Sequence, residues 1–248
     1  MPRKPRAKSE NNIYHIILRG INHQQIFLDM EDNFKFLEIL RTCKALCGYK
    51  IFAYCLMGNH IHLLMQFEDE AVEIAMKRIS VRFVYWYNTK YERVGHLFQD
   101  RFRSEPIGDD RYFLACLRYI HQNPVKAGIS KIDEYPFSSY GTYIGSNKTE
   151  LIDMDLLYSI IAKEDFVDFS NEYSDTTFLD VDIQKRNVTD EEAVKIILKV
   201  SKCKNVTDFQ AIDIKEREKC LSLLKKKGLG VRQISRLTGI SYYVVQKA

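Results

Sequence analysis

Short runs of β-branched and aromatic residues alternate with amphipathic stretches through the first half of the chain. NIYHIILRG (12–20), YKIFAYCLM and HIHLLMQF predict three strands, the last two joined around Gly58-Asn59, and RFRSEPIG predicts a fourth. Apolar spacing predicts helices in MEDNFKFLEILRTCKALCG, EDEAVEIAMKRISVRFVYWYNTKYE and DDRYFLACLRYIHQN, with Pro124 closing the third. This order favours an α+β fold with helices packed on a mainly antiparallel sheet.

The pattern changes beyond about Tyr143 to helices without strands. VTDEEAVKIILKVSKC and DIKEREKCLSLLKKKG predict helices with Thr189 and Asp213 as N-caps. GVRQISRLTGISYYVVQKA predicts a helix-turn-helix, with Gly239 in the turn and Ser241 capping the second helix. A small helical bundle that mediates protein contacts is the alternative. The exposed candidates for DNA contact are Gln233, Arg236, Tyr242, Tyr243, Gln246 and Lys247.

The sequence pattern and the distribution of charge together divide the chain into four predicted parts. We expect a basic flexible arm at 1–11, an α+β domain at 12–145, an acidic connecting region at 146–188 and a helical module at 189–248. The whole chain carries a net charge of +4, whereas residues 147–192 hold 13 acidic and 4 basic side chains. Basic regions on both sides of an acidic one indicate an anionic partner, although a solvated acidic linker is the simpler explanation.

Hydrophobicity along the chain and the spacing of the cysteines indicate the cellular location and the state of the thiols. No run of about 18 apolar residues predicts a membrane span, and the N-terminus lacks the apolar core of a signal peptide, so we expect a cytoplasmic protein without a membrane partner. The six cysteines form no C-x-x-C pair, and we expect buried thiols.

The run MGNHIHLLM indicates a candidate metal-binding site. In a strand, His60 and His62 project from the same face, so their imidazoles can share a divalent cation. On the helix ending near Pro124, Tyr119 and Asn123 are separated by one turn, which places a phenol beside an amide oxygen that can complete the ligand set. Histidines held by hydrogen bonds at a sheet surface are the alternative.

Several other arginines and histidines are weaker candidates for binding phosphate or DNA. RFR places Arg101 and Arg103 on one strand face with Phe102 inward, which is typical of a phosphate-binding pair or of a solvated strand face. The remaining histidines are predicted to be structural or, at most, DNA-contacting: His15, His23, His96 and His121.

Four ordered blocks, YHIILRG, YCLMGNHIHLLM, GHLFQDRFRS and LRYIHQNPVKAG, resemble the REP-associated tyrosine transposases, a branch of the single-tyrosine insertion-sequence transposases within the HUH endonucleases. The resemblance covers roughly residues 10 to 143. It implies a ferredoxin-like antiparallel sheet, a metal site at His60, His62 and Asn123, and Tyr119 as the nucleophile.

The resemblance also implies an activity. We expect a metal-dependent single-strand DNA endonuclease and strand transferase that forms a 5′-phosphotyrosine at hairpin-associated DNA and uses Mg²⁺ or Mn²⁺. The partner is then single-stranded or hairpin-forming DNA near the bacterial nucleoid, and the protein is a monomer or a homodimer. A domesticated, catalytically silent DNA-binding or regulatory protein is the alternative, and a metal phosphatase would need more metal-binding carboxylates than the motifs supply.

Overall fold

A computed structural model of the chain describes residues 7–147, 149–172, 178, 190–203, 205, 207–227 and 229–247. The chain divides into two compact units, Met1–Leu179 and Asp180–Ala248. Much of the predicted basic arm and part of the predicted acidic connecting region lie outside the described residues, as does the predicted cap Thr189. None of the described helices is long and apolar enough to cross a membrane.

A four-stranded antiparallel sheet forms the centre of the first unit, as the sequence pattern predicts. Its strands are β1 (Ile13–Arg19), β2 (Lys50–Met57), β3 (His60–Gln66) and β4 (Arg103–Pro106), in the order β2-β3-β1-β4. Helix α1 (Met30–Cys47) connects β1 to β2, and α2 (Val72–Lys90) connects β3 to β4. This connectivity and strand order are those of the ferredoxin-like split β-α-β fold.

Helices α1 and α2 pack against each other beside the apolar face of the sheet, to which Ile61 and Leu63 contribute. The rings of Phe36 on α1 and Phe83 on α2 meet edge to face with centroids 5.1 Å apart. Helix α1 ends at Gly48, whose φ of 65° is the left-handed conformation that glycine adopts without strain. These contacts fix one side of the sheet, so the other side is left for the candidate site.

Helix α3 (Asp110–Lys126) lies against β2 and β3. Asp109 caps its N-terminus by accepting a hydrogen bond from the backbone N–H of Tyr112. The prediction that Pro124 closes this helix is wrong, because the helix continues to Lys126 with the proline inside its last turn. A proline this close to the end removes one helical hydrogen bond and leaves few further turns to disrupt.

Three short helices follow and complete the first unit: α4 (Tyr140–Tyr143), α5 (Asp155–Ile160) and α6 (Phe166–Asn171). Leu151, Leu157 and Phe166 from this segment are buried in the same core as the sheet. The described part of the acidic region thus contributes apolar side chains to the first unit, in addition to its charge.

The second unit contains α7 (Asp190–Ser201), α8 (Ile214–Lys226), α9 (Val231–Thr238) and α10 (Tyr242–Lys247). Its own core includes Ile197, Leu221, Ile234 and Val245. Gly239, with a φ of 70°, ends α9 just before α10. Two helices joined by a glycine turn agree with the predicted pattern, and their role in DNA binding stays a prediction.

His121 is buried on α3, where its Nε2 lies 2.8 Å from the hydroxyl oxygen of Ser139. Burial lowers the pKa of His121 to about 3. The unfolded chain therefore binds a proton on this residue below about pH 6.5, whereas the folded chain resists protonation until about pH 3. We expect His121 to reduce the free energy of unfolding by about 2 to 3 kcal/mol between pH 6.5 and 4.5, since one pKa unit corresponds to about 1.4 kcal/mol.

Urea unfolding at a series of pH values, followed by fluorescence of Trp86, measures this effect, because Trp86 is the single tryptophan of the chain and lies in the first unit. His121→Gln serves as the non-titrating comparison. We expect this variant to be less stable near neutral pH and to lose less stability as the pH falls. Equal pH dependence of wild type and variant would contradict the assignment.

Candidate metal and tyrosine site

The register of the sheet determines which side chains share the face covered by α3. His62 lies opposite Ile17 on β1, and Ile17 lies opposite Arg103 on β4, so the three side chains form one row across the sheet. Two pairs further along, His15 lies opposite Glu105. Because alternate residues of a strand point the same way, both rows project from one face.

His60 and His62 converge on this face as the strand period predicts, with ring centroids 4.9 Å apart. Nδ1 of His60 is 2.7 Å from the side-chain oxygen of Asn59, which can accept its proton. Burial, with a smaller contribution from the Arg19 charge, lowers the pKa of His60 to about 4. Burial and then the neighbouring His60 and His15 hold the pKa of His62 well below its usual value. Both imidazoles are therefore neutral near pH 7, the form that binds metals.

Helix α3 presents Tyr119 beside these histidines. The Tyr119 ring is 4% exposed, and its centroid lies 5.7 Å from that of His62 in an edge-to-face arrangement. One turn later, Asn123 donates a hydrogen bond from its side-chain nitrogen to the backbone oxygen of Tyr119 at 3.0 Å. That bond uses the amide nitrogen of Asn123 and fixes the orientation of the amide group.

Lys126 is a further residue at this site that the sequence motifs did not single out. Its Nζ lies 4.6 Å from the centroid of the Tyr119 ring, in cation-π contact. The two residues are seven positions apart on α3, which is two helical turns. This spacing along one face of α3 is the signal that could have identified Lys126.

His15, predicted to be structural or at most DNA-contacting, lies against the candidate ligand His62. It is fully buried, its Nε2 lies 3.0 Å from Nδ1 of His62, and the two rings are nearly parallel. Its Nδ1 lies 3.6 Å from a carboxylate oxygen of Glu105. Tyr112 donates its hydroxyl proton to the other oxygen of Glu105 at 2.5 Å. These residues lie behind the two candidate ligands, on the adjoining strands and the first turn of α3.

Phe178 is another contributor that no motif indicated. Its ring centroid lies 4.9 Å from that of Tyr119, 5.1 Å from that of Tyr112 and 5.9 Å from that of His15. An isolated phenylalanine in an acidic stretch carries no periodicity, so its position could not be predicted.

The two arginines predicted as a phosphate-binding pair are separated. Arg103 begins β4 and shares the face of His62. Arg101 precedes the strand, so its placement on the strand with Arg103 is wrong. It lines a cavity of about 620 Å³ bordered by α2, together with Leu18 from the opposite face of the sheet. Phe102 is buried between them, as expected.

The predicted DNA-contacting residues of the second unit lie mostly at its surface. Tyr243 is 81% exposed and Tyr242 is 41% exposed, while Gln246 and Lys247 are exposed on the same helix, α10. Arg236 on α9 pairs with Asp190 at 2.7 Å, and Gln233 also donates to that carboxylate. Two of the six candidates thus already have a protein partner.

The donor atoms of the site fit a divalent cation. Proton donation from Nδ1 of His60 to Asn59 leaves Nε2 as the ligand atom, and the contact of His62 Nδ1 with His15 leaves the equivalent nitrogen of His62. The bond from Asn123 to Tyr119 leaves the amide oxygen as the remaining donor. The described residues include no cluster of three or more His, Cys, Asp or Glu suited to a metal, so asparagine is needed to complete this set.

The first unit is similar to known transposases in sequence and in fold. Residues 8–123, a little under half of the chain, match the family described as Transposase IS200 like. The resemblance indicated by the sequence motifs is thereby confirmed.

Two individual proteins show the same similarity. A Haemophilus influenzae protein described as a candidate REP-associated tyrosine transposase is 30% identical over an alignment of 112 residues, and the match covers 40% of this chain and 63% of that protein. The chain thus spans less than two thirds of the length of this curated relative. A solved structure of a REP-associated tyrosine transposase bound to a REP hairpin aligns with a TM-score of 0.52 at 15% identity, covering 62% of this chain and 98% of that one. At this identity the likeness shows the fold.

Proposed function

We propose that the chain is a metal-dependent single-strand DNA endonuclease and strand transferase that acts next to a DNA hairpin. The observation that carries the proposal is the contact of the Tyr119 ring with His62, which is itself paired with His60 on one face of the sheet. A nucleophile beside neutral metal ligands is the arrangement that phosphoryl transfer through a phosphotyrosine needs.

In the proposed reaction, the hydroxyl oxygen of Tyr119 forms a bond to the scissile phosphorus, and the bond from phosphorus to the 3′ oxygen breaks. The tyrosine proton goes, in net terms, to the departing 3′ oxygen, so the products are a 5′-phosphotyrosine and a free 3′-hydroxyl. Attack by another 3′-hydroxyl reverses these steps and rejoins DNA. His60, His62 and Asn123 would hold Mg²⁺ or Mn²⁺, which supplies charge neutralisation at the phosphate oxygens.

Basic residues around the site support an anionic substrate. Arg103 shares the sheet face of His62, and Lys126 lies over the Tyr119 ring. Both are exposed, so they can pair with phosphates of a DNA backbone. We assign Tyr242, Tyr243 and Lys247 of α10 to a second DNA contact, made by the helix-turn-helix.

The proposal is tested by incubating the protein with single strands that carry a hairpin, labelled at either the 5′ or the 3′ end. Reactions contain Mg²⁺, Mn²⁺ or a chelator and are analysed on denaturing gels. We expect a covalent protein–DNA adduct that retains only the 3′ label and disappears with chelator. A matched duplex without a hairpin should give little adduct.

Two outcomes would overturn parts of the proposal. Cleavage of duplex alone would exclude the single-strand substrate. Hairpin binding without an adduct under any metal would favour the alternative of a DNA-binding or regulatory protein that no longer cleaves.

A further inference from the structure

A chain of buried and partly buried polar side chains leads away from the candidate metal ligands. It begins at Nδ1 of His62, continues through the two ring nitrogens of His15 and reaches Glu105, which in turn accepts from Tyr112. His15 is fully buried, and its Nδ1 has no hydrogen-bond partner among the described residues; the Glu105 carboxylate lies 3.6 Å from it. A buried polar atom of this kind calls for an explanation.

We propose that His15 is a positioning residue that selects the metal-binding tautomer of His62, with Glu105 and Tyr112 fixing the orientation of His15. The inference rests on the proposed function, because the contact between His15 and His62 affects metal binding only if His62 is a ligand. None of the three residues is itself a ligand in this proposal.

The direction of the hydrogen bonds follows from the chemistry of a neutral imidazole, in which one nitrogen carries the proton and the other the lone pair. If His62 carries its proton on Nδ1, it donates to His15 and keeps the Nε2 lone pair for a cation. In the opposite tautomer, His15 donates to Nδ1 of His62 and the Nε2 of His62 is protonated. Only the first arrangement leaves His62 able to bind a metal through Nε2.

Glu105 decides between these arrangements. When His15 accepts at Nε2, its own proton lies on Nδ1 and points towards the Glu105 carboxylate. The reverse arrangement would direct the lone pair of His15 Nδ1 at a carboxylate, which repels it. Tyr112 donates to the other carboxylate oxygen and so holds the acceptor in place. Carboxylate–histidine contacts of this kind commonly orient metal-binding imidazoles.

The packing around His15 also restricts ring rotation. The rings of His15 and His62 are nearly parallel, with an interplanar angle of 19° and centroids 5.3 Å apart, and Tyr119 and Phe178 pack edge to face with His15. A ring enclosed in this way cannot flip and exchange the positions of its two nitrogens unless its neighbours repack. The packing therefore fixes which nitrogen of His15 faces His62 and which faces Glu105.

Two measurements test the proposal independently of DNA cleavage. The first is ¹⁵N NMR of histidine-labelled, metal-free protein at neutral pH, with single-histidine variants for assignment. We expect the proton on Nδ1 in both His62 and His15. Finding the proton of His62 on Nε2 would overturn the proposal.

The second measurement is the affinity for Mn²⁺ alone, by calorimetry. We expect His15→Phe, which keeps a buried ring and removes the acceptor, to weaken binding by about 10- to 100-fold, as is usual when a partner of a metal ligand is lost. Glu105→Leu should weaken binding and mix the two His62 tautomers, with partial recovery in Glu105→Gln. Ser104→Ala is the matched control, since Ser104 is adjacent on β4 and points to the opposite face.

The outcomes separate this inference from the proposed function. If wild type binds Mn²⁺ and both His15→Phe and Glu105→Leu bind it equally well, the positioning role is wrong while the metal site stands. If wild type binds no Mn²⁺ but His62 still carries its proton on Nδ1, the tautomer selection holds and the metal dependence fails. Trp86 fluorescence shows whether each variant is folded.

Discussion

Replacing Tyr119 with phenylalanine is expected to abolish the covalent protein–DNA adduct and to lower strand cleavage by at least about 10³-fold, because the substitution removes only the attacking oxygen. The ring remains, so its contacts with His62, His15 and Phe178 are kept. The variant should therefore fold and bind Mn²⁺ and hairpin DNA as wild type does. Adduct formation on a denaturing gel and hairpin affinity by fluorescence anisotropy measure the two properties separately.

Tyr85→Phe is the matched control for this substitution. Tyr85 is 76% exposed on α2, beside the opposite face of the sheet, so loss of its hydroxyl should leave cleavage unchanged. An adduct of normal yield in Tyr119→Phe would remove this tyrosine as the nucleophile. Loss of hairpin binding together with cleavage would instead assign Tyr119 a role in substrate binding.

The parts of the site that could be predicted depend on local periodicity. The strand period of two places His60 and His62 on one face, and the helical period of 3.6 places Asn123 one turn beyond Tyr119. Each pair needs only the correct secondary structure, which the apolar pattern of the sequence supplies. The same reasoning predicted the antiparallel sheet and the helices packed on it.

The parts that could not be predicted depend on how distant segments meet. His15 reaches His62 only because β1 lies between β3 and β4 in a particular register, and a single sequence does not give strand order. Arg101 was placed on the wrong element because the start of β4 differs by two residues, which is enough to separate it from Arg103. Phe178 lies far along the chain from the residues it contacts, in a stretch dominated by charge.

Loss of a single candidate ligand should have an effect nearly as large as loss of the nucleophile. His60→Ala removes one of two imidazole ligands, and we expect Mn²⁺ affinity to fall by at least about 100-fold, with adduct formation lost at metal concentrations that saturate wild type. His60 is the better residue to change, because the buried contact of His62 with His15 stays intact and the fold should be little affected. Calorimetry with Mn²⁺ and the adduct assay measure both consequences.

His96→Ala provides the control for His60→Ala, since His96 lines the cavity bordered by α2 and is exposed. We expect this variant to bind Mn²⁺ and form adduct as wild type does. If His60→Ala keeps wild-type affinity, the imidazole of His60 is not a ligand, and its low pKa reflects only burial and the nearby Arg19 charge. If affinity falls but added Mn²⁺ restores the adduct fully, His60 contributes to holding the ion but not to the chemical step. Complete loss at every metal concentration would mean that both imidazoles are needed to place the ion against the phosphate attacked by Tyr119.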